Sequence, residues 1–346
     1  MIEKKHNTKN RSSIYLHIIL LLMFSTFLVW LFYQPVKKFI TKDTATPVMP
    51  IGPAEKEKFG NPPVVTVGLY IRNWPEFSIS ENKFIADLTV WFRFDPKRIS
   101  VEKLRRFHFD RANTIYKSKP YVMSIKDTVF ARFYVRIEFT TNLNYESFPL
   151  DDHKINISLI YNSLSPSDAI FTSNNDYLTM DPEIKIQGWD LADKMVKTGY
   201  IEETLDPHEK KSQIYHPRVV FSLYFARSGI RHVISIIIPL ILIFLIAVFT
   251  LTIVQRYKDN TALGIAVASI SAIIAHRFVI SAMSPKPGYL MISDLLFIWL
   301  LIGCCILFMI NIFGREIPKG YKNIIIILSY IYLVAGLLYF ILPALK

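Results

Sequence analysis

Four apolar stretches crowd the last third of the chain, and they limit what it can fold into more than any other feature. They run Val233–Val254, Thr261–Ala275 (broken by His276 and Arg277, then resumed as Phe278–Met283), Leu290–Phe313 and Ile324–Leu345. A fifth, Ile14–Tyr33, stands near the N-terminus. A helix of about 20 apolar residues crosses the hydrocarbon of a bilayer and satisfies its own backbone there. The stretches predict membrane helices over about 232–254, 261–283, 290–313 and 323–345, making 229–346 a four-helix transmembrane bundle. Residues 14–33 read as a transmembrane anchor or signal segment. The following Gln34-Pro35-Val36-Lys37-Lys38 has no small-x-small cleavage site, which favours an uncleaved anchor.

Basic residues set the expected sidedness. Lys4, Lys5, Lys9 and Arg11 precede the first stretch, Arg256 and Lys258 follow the second, and Arg315, Lys319 and Lys322 follow the fourth. If every stretch crosses, all three groups fall on one side, which should be cytoplasmic. Residues 1–13 are then cytoplasmic, and the long segment between the first and second stretches is extracytoplasmic. The location expected is the cell membrane, multi-pass, with lipid as a partner. The net charge of +12 is explained partly by these flanks, so no nucleic-acid partner is expected.

The chain is 51% hydrophobic and 20% charged, too apolar for an ordinary soluble protein and too charged to lie wholly in lipid. Its polar part is the stretch before the bundle. Residues 34–63 are a Pro-, Lys- and Thr-rich linker. From Val64 the apolar residues alternate with period two, which predicts half-buried strands. Phe84, Ala86, Leu88, Val90, Phe92 and Phe94 share one face, as do Val129, Ala131, Phe133, Val135, Ile137 and Phe139. Ile155, Ile157 and Leu159, and then Val219, Phe221, Leu223 and Phe225, repeat the pattern. Val101–Phe107 is the one helix candidate. Many short strands bounded by turn residues predict an all-β, immunoglobulin-like sandwich over 64–228. The two cysteines, Cys304 and Cys305, are adjacent within an apolar stretch and offer the sandwich no disulfide. No metal-ligand cluster, phosphate loop or nucleophile–base motif stands out, so neither a cofactor nor an enzyme is expected.

The 261–283 stretch differs from its neighbours in being rich in Ala, Gly, Ser and Ile. Small residues suit close helix packing, and a small, weakly polar stripe also suits a water path. Ala262, Ser269 and His276 form one line with Ala266, Ile273 and Ile280 between them. Either this line, with Asp259 at its inner end, lines a pore, or the helix is simply packed inside the bundle. Lys258 and Asp259 at the inner mouth fit a selectivity ring, or a flanking base and a helix cap.

The stretch YESFPLDDHKINISLIY, 145–161, places a Phe148-Pro149-Leu150-Asp151 turn before a strand. With an external sandwich and four following helices, it resembles the signature loop of the pentameric ligand-gated ion channels, the Cys-loop receptor superfamily. Phe92–Pro96, Gly188–Asp190, Arg227 twelve residues before Pro239, and Ser284–Phe297 resemble further landmarks in the same order. The short Gly314–Asn323 loop is similar to prokaryotic members. Positions 141 and 155, where the eponymous cysteines would stand, hold Thr and Ile.

The resemblance implies a homopentamer passing inorganic ions passively, gated by a small extracellular ligand or by protons. It implies gating roles for Phe148, Pro149, Asp151, Arg227, Pro285, Lys286 and Tyr289, with Asp151 pairing Arg227. It implies ligand contacts from Trp91, Tyr121, Tyr134, Tyr161, Tyr200 and Tyr215, with Glu202–Gln213 as a capping loop. Asp259 favours cations and Lys258 opposes them, so selectivity stays open. The alternative is a non-conducting membrane sensor or structural subunit with the same fold.

Overall fold

The computed structural model describes residues 19–20, 23, 48–52, 56–57, 59–204, 213–228, 231–253, 259–313 and 319–342. All of the expected anchor at 14–33 except residues 19–20 and 23 lies outside the described residues, as do Lys258 and the hairpin tip at 205–212. The chain divides into two compact units. One is Thr41–Asn144 with Asp152–Ser228, and the other is Met1–Ile40, Tyr145–Asp151 and Gly229–Lys346.

The first unit is a mixed β-sheet domain of sandwich type. Its strands are β1 (Val64–Ser78), β2 (Lys83–Phe94), β3 (His108–Phe109), β4 (Ala112–Lys117), β5 (Tyr121–Ile125), β6 (Thr128–Phe139), β7 (His153–Ile160), β8 (Ile170–Thr172), β9 (Leu178–Met180), β10 (Trp189–Thr204) and β11 (Gln213–Arg227). One sheet has the order β4-β6-β2-β1-β8, with β5 also on β6 and β9 also on β1. The other has the order β10-β11-β7-β3. Strands β8 and β9 run parallel to β1, and the remaining pairs are antiparallel.

The period-two pattern becomes burial as expected. Phe84, Ala86, Leu88, Val90, Phe92 and Phe94 of β2 are buried, as are the alternate residues Val129 to Phe139 of β6. Their partners Arg132, Tyr134 and Arg136 take the opposite face. The two sheets share one aromatic core. Trp74 and Phe77 of β1 lie 6.3 and 5.0 Å from the Phe225 ring of β11. Trp74 reaches the core through a bulge, because Trp74 and Pro75 stand opposite Ala86 alone, between the pairs Asn73–Asp87 and Glu76–Ile85. Pro75 has no N–H to lose at that irregularity. The expected helix shortens to the single turn Val101–Leu104, its Lys103 N–H capped by Ser100 Oγ.

The second unit holds α1 (Arg231–Ile253), α2 (Asp259–Met283), α3 (Ile292–Phe313) and α4 (Lys319–Ile341). All four are long and apolar enough to cross a membrane. Helix α4 starts before the apolar run, at Lys319 rather than near 323. Helices α3 and α4 are joined by reciprocal bonds. The Trp299 Nε1–H donates to the Tyr332 carbonyl at 3.3 Å, the Tyr332 hydroxyl donates to the Trp299 carbonyl at 2.6 Å, and the rings stack at 4.3 Å. Gly303 makes room for the edges of Phe244 and Tyr332, which a Cβ there would overlap. Asn311 Nδ2 donates to Thr250 Oγ1 at 2.7 Å, a polar link from α3 to α1. Such groups pair with each other where water is absent.

Candidate functional site

The turn at 145–151 forms from its own backbone. The Phe148 N–H donates to the Tyr145 carbonyl at 3.0 Å, and the Leu150 N–H donates to the Ser147 carbonyl at 2.8 Å. The Phe148–Pro149 bond is cis. Phe148, Pro149, Leu150 and Asp151 are all buried. Carbonyls of the turn then meet the start of α3. The Ile292 N–H donates to the Glu146 carbonyl at 2.9 Å, and the Ser293 N–H donates to the Phe148 carbonyl at 3.2 Å. These are the first N–H groups of α3, which no residue within the helix can satisfy. The turn is therefore the N-terminal cap of α3. Tyr289 closes the arrangement, its hydroxyl oxygen accepting the Tyr145 N–H at 2.8 Å.

Asp294 completes this helix start. Its carboxylate accepts the Met291 N–H at 3.0 Å, reaching back over the first turn as a capping-box acid does. The same carboxylate pairs with Arg277 of α2. Asp294 is 4% exposed, while the Arg277 side chain keeps 37% of its surface and lies 5.6 Å from the Phe297 ring centroid. A cleft of about 480 Å³ lies alongside, lined among others by Arg277, Lys286, Tyr289 and Asp294. The sequence reading missed Asp294. Its signal was an acid at the fifth position of the otherwise uncharged Leu290–Phe313 stretch.

Helix α2 corrects the expected register. Ala262, Ala266, Ser269, Ile273, His276 and Ile280 are all buried within the single chain, at 9% exposure or less. His276 Nε2 lies 3.0 Å from the Ile236 carbonyl oxygen of α1, and Ser269 Oγ donates to the Ile265 carbonyl. A line already covered by its own bundle cannot also face a water path. The opposite face carries Gly264, Val267, Ala268, Ser271, Ala275, Phe278 and Ala282, all exposed. The α2 span is the least apolar and the least covered of the four. The side chain of Asp259 lies outside the described residues.

The six aromatic residues expected at a ligand site separate into three places. Trp91, Tyr121 and Tyr134 come together on the outward face of the larger sheet. Arg132 lies 4.5 Å from the Tyr121 ring and 5.5 Å from the Tyr134 ring, and Arg72 lies 4.9 Å from the Tyr134 ring. Trp91 lies across Gly68, where a Cβ would overlap its indole, and meets Tyr177 edge-on at 5.1 Å. The Arg132 Nε–H is buried without a hydrogen-bond partner among the described residues. Tyr161 corrects the expectation. It is 0% exposed, stacks on Phe171 at 4.7 Å, and donates its hydroxyl to the Leu104 carbonyl at 2.7 Å. It is a core residue, and burial holds its hydroxyl well above the usual phenol range. Tyr200 and Tyr215 meet each other at 5.5 Å on the β10–β11 hairpin, with Phe59 against both.

Lys117 and His108 are bases of the sheet domain whose protonation is shifted downward. Burial, with Arg105 adding to it, lowers Lys117 to about 8. Its ammonium donates to the Arg105 and Phe107 carbonyls at 2.6 and 2.8 Å and lies 3.4 Å from the Phe107 ring centroid. Burial also lowers His108, with Asp110 opposing the shift and Lys117 and His216 adding to it. Arg227, at the end of β11, lies 4.4 Å from the Trp189 ring, and its N–H donates to Asp152 at 2.9 Å. Among the described residues no group of three or more His, Cys, Asp or Glu could hold a metal ion.

No family model matches the chain, and no curated protein is significantly similar to it.

Proposed function

We propose that the chain is a subunit of a ligand-gated ion channel of the pentameric kind. In this reading an immunoglobulin-like sandwich lies on the extracytoplasmic side of the cell membrane, and five copies surround a pore lined by α2. The observation that carries it is the exposed face of α2. Gly264, Ala268, Ser271, Ala275 and Ala282 give that face small and weakly polar side chains, while the larger and hydrogen-bonding line packs inside the bundle. Small residues on a membrane helix suit close approach or a water path. The pore face is thus half a turn from the line first expected, and Val267 and Phe278 are its bulkiest members.

The 145–151 turn supplies the gating element. Because it caps α3, a shift of the turn changes how the first N–H groups of α3 are satisfied. Each such bond contributes about 1 kcal/mol, a scale suited to biasing two states of similar energy. Phe148, Pro149 and Asp151 belong to the turn, Tyr289 accepts from its first N–H, Pro285 and Lys286 lead from α2 to Tyr289, and Arg227 ends β11. A ring of charge is expected where α2 begins, at Asp259. For the ligand, Arg72 and Arg132 already occupy the faces of Tyr134 and Tyr121. A cationic ligand would compete with two guanidinium groups, so the outward face suits a small acid better than an amine. Protons are the other candidate, through His108 and Lys117.

The second reading, a non-conducting sensor or structural subunit, draws on Phe278, which is 76% exposed on the same α2 face and is large enough to close it. The test is current through the reconstituted full-length protein in a planar bilayer. Small carboxylates would be added, and pH stepped from about 7.5 to about 4.5 across the histidine and carboxylate titrations. A gated current that rises in Phe278→Ala supports the channel. Folded, inserted protein with no current under any condition, Phe278→Ala included, favours the sensor.

A further inference from the structure

The β10–β11 hairpin carries an occupant that its own sequence does not explain. Strand β10 is the edge of the four-stranded sheet, and an edge strand presents unpaired N–H and C=O groups. At Tyr200 those groups are taken. The Met49 N–H donates to the Tyr200 carbonyl at 2.9 Å, and the Tyr200 N–H donates to the Met49 carbonyl at 3.0 Å, an antiparallel bridge. Gly199 is what allows the approach. A Cβ there would overlap the Met49 carbonyl and crowd Val48 Cγ1.

Further along the linker a second contact forms. The Asn61 N–H donates to the Lys56 carbonyl at 3.0 Å, and Gly60 adopts φ +76, a helix-ending turn that suits glycine. The Asn61 carbonyl is held by Arg98 at 2.8 Å. This brings the Phe59 ring edge-on to Tyr200 at 5.9 Å and to Tyr215 at 6.4 Å. A residue from the linker thus covers the aromatic pair of the hairpin, while a second one fills the strand edge beside it.

We propose that the linker, through Val48, Met49 and Phe59, forms a displaceable strap, a tethered occupant of the surface that a ligand captured by the β10–β11 hairpin would have to share. The surface takes an extended peptide through the Tyr200 backbone and an aromatic side chain through Tyr200 and Tyr215, and the chain's own linker supplies both. The attachment is small, one bridge and one ring, so ligand and strap compete. That competition rests on the channel reading above, whereas the docking of the strap does not.

The test is amide hydrogen exchange by mass spectrometry on the full-length protein, comparing wild type with Gly199→Ala and Phe59→Ala. In Gly199→Ala, exchange of 48–52 and of the Tyr200 amide rises on the order of tenfold, the scale of losing two backbone hydrogen bonds. The β7 and β11 amides stay as they were. In Phe59→Ala the rise is smaller and includes Tyr215. Unprotected 48–52 in wild type, or exchange unmoved by both variants, overturns the strap. Planar-bilayer current of the same variants, evoked by the small carboxylates proposed above as ligand, separates the two claims. Greater current in both variants supports competition. Unchanged current beside faster exchange overturns the regulatory role and leaves the channel standing. No current in wild type removes the channel reading, and the exchange result alone then decides the strap.

Discussion

Replacing Arg277 by Met should destabilise the helical unit more than its exposure implies, because of what it leaves behind. Asp294 is 4% exposed, so the carboxylate loses its charged partner where water cannot replace it. Breaking a fully buried pair costs about 3–5 kcal/mol, and the partial exposure of Arg277 brings the expected loss to about 2–3 kcal/mol. Asp294→Asn loses the charge but keeps a carbonyl that can accept the Met291 N–H, and Arg277 can turn to solvent. Its expected cost is smaller, about 1–2 kcal/mol. Once either partner is gone, removing the other should cost little, so the double variant should show a coupling of at least about 1 kcal/mol. The assay is equilibrium unfolding in mixed detergent–dodecyl sulfate micelles, followed by helical circular dichroism. Additivity of the two substitutions within about 0.5 kcal/mol would refute the reasoning, because the pair would then carry no shared energy.

Two further predictions concern single groups. Tyr289→Phe keeps the ring but removes the acceptor of the Tyr145 N–H, and should destabilise the protein by about 1–2 kcal/mol in the same unfolding assay. For Lys117, the folded pKa of about 8 lies below its unfolded value near 10.5. The unfolded chain therefore holds more protons between those values, and thermal stability should rise from pH 8 to pH 10. The rise should be weaker in Lys117→Met, and a stability that falls over the same window in wild type only would contradict the shift.

The strands were legible because alternation is a property of residue identity. Phe84 to Phe94 and Val129 to Phe139 could only present one apolar face, and those faces are the core. The register of α2 was not legible in the same way. Small residues occupy both of its faces, Ala262 and Ala266 on one, Gly264, Ala268 and Ala275 on the other. What turns the first line inward is its neighbour: His276 finds the Ile236 carbonyl, and Ile273 and Ile280 fill space inside the bundle. The 145–151 turn was legible as a turn but not as the cap of α3, since its donors and acceptors are backbone groups that any residue carries. Tyr161 misled because a buried tyrosine and a ligand-facing one look alike in sequence. Only the Leu104 carbonyl waiting for its hydroxyl tells them apart.

The most direct test of the central claim is which face of α2 meets water. Single cysteines at Ser271 and Ala275, and at Ser269 and Ile273, would be introduced after Cys304 and Cys305 are replaced by Ala. A permanently charged methanethiosulfonate reagent, which reads water rather than lipid, would then be applied to the membrane-inserted protein. The account predicts that Ser271→Cys and Ala275→Cys react on the order of tenfold faster than Ser269→Cys and Ile273→Cys, following access of reagent to the thiol. Faster labelling at 269 and 273, or no labelling at 271 and 275, would contradict it.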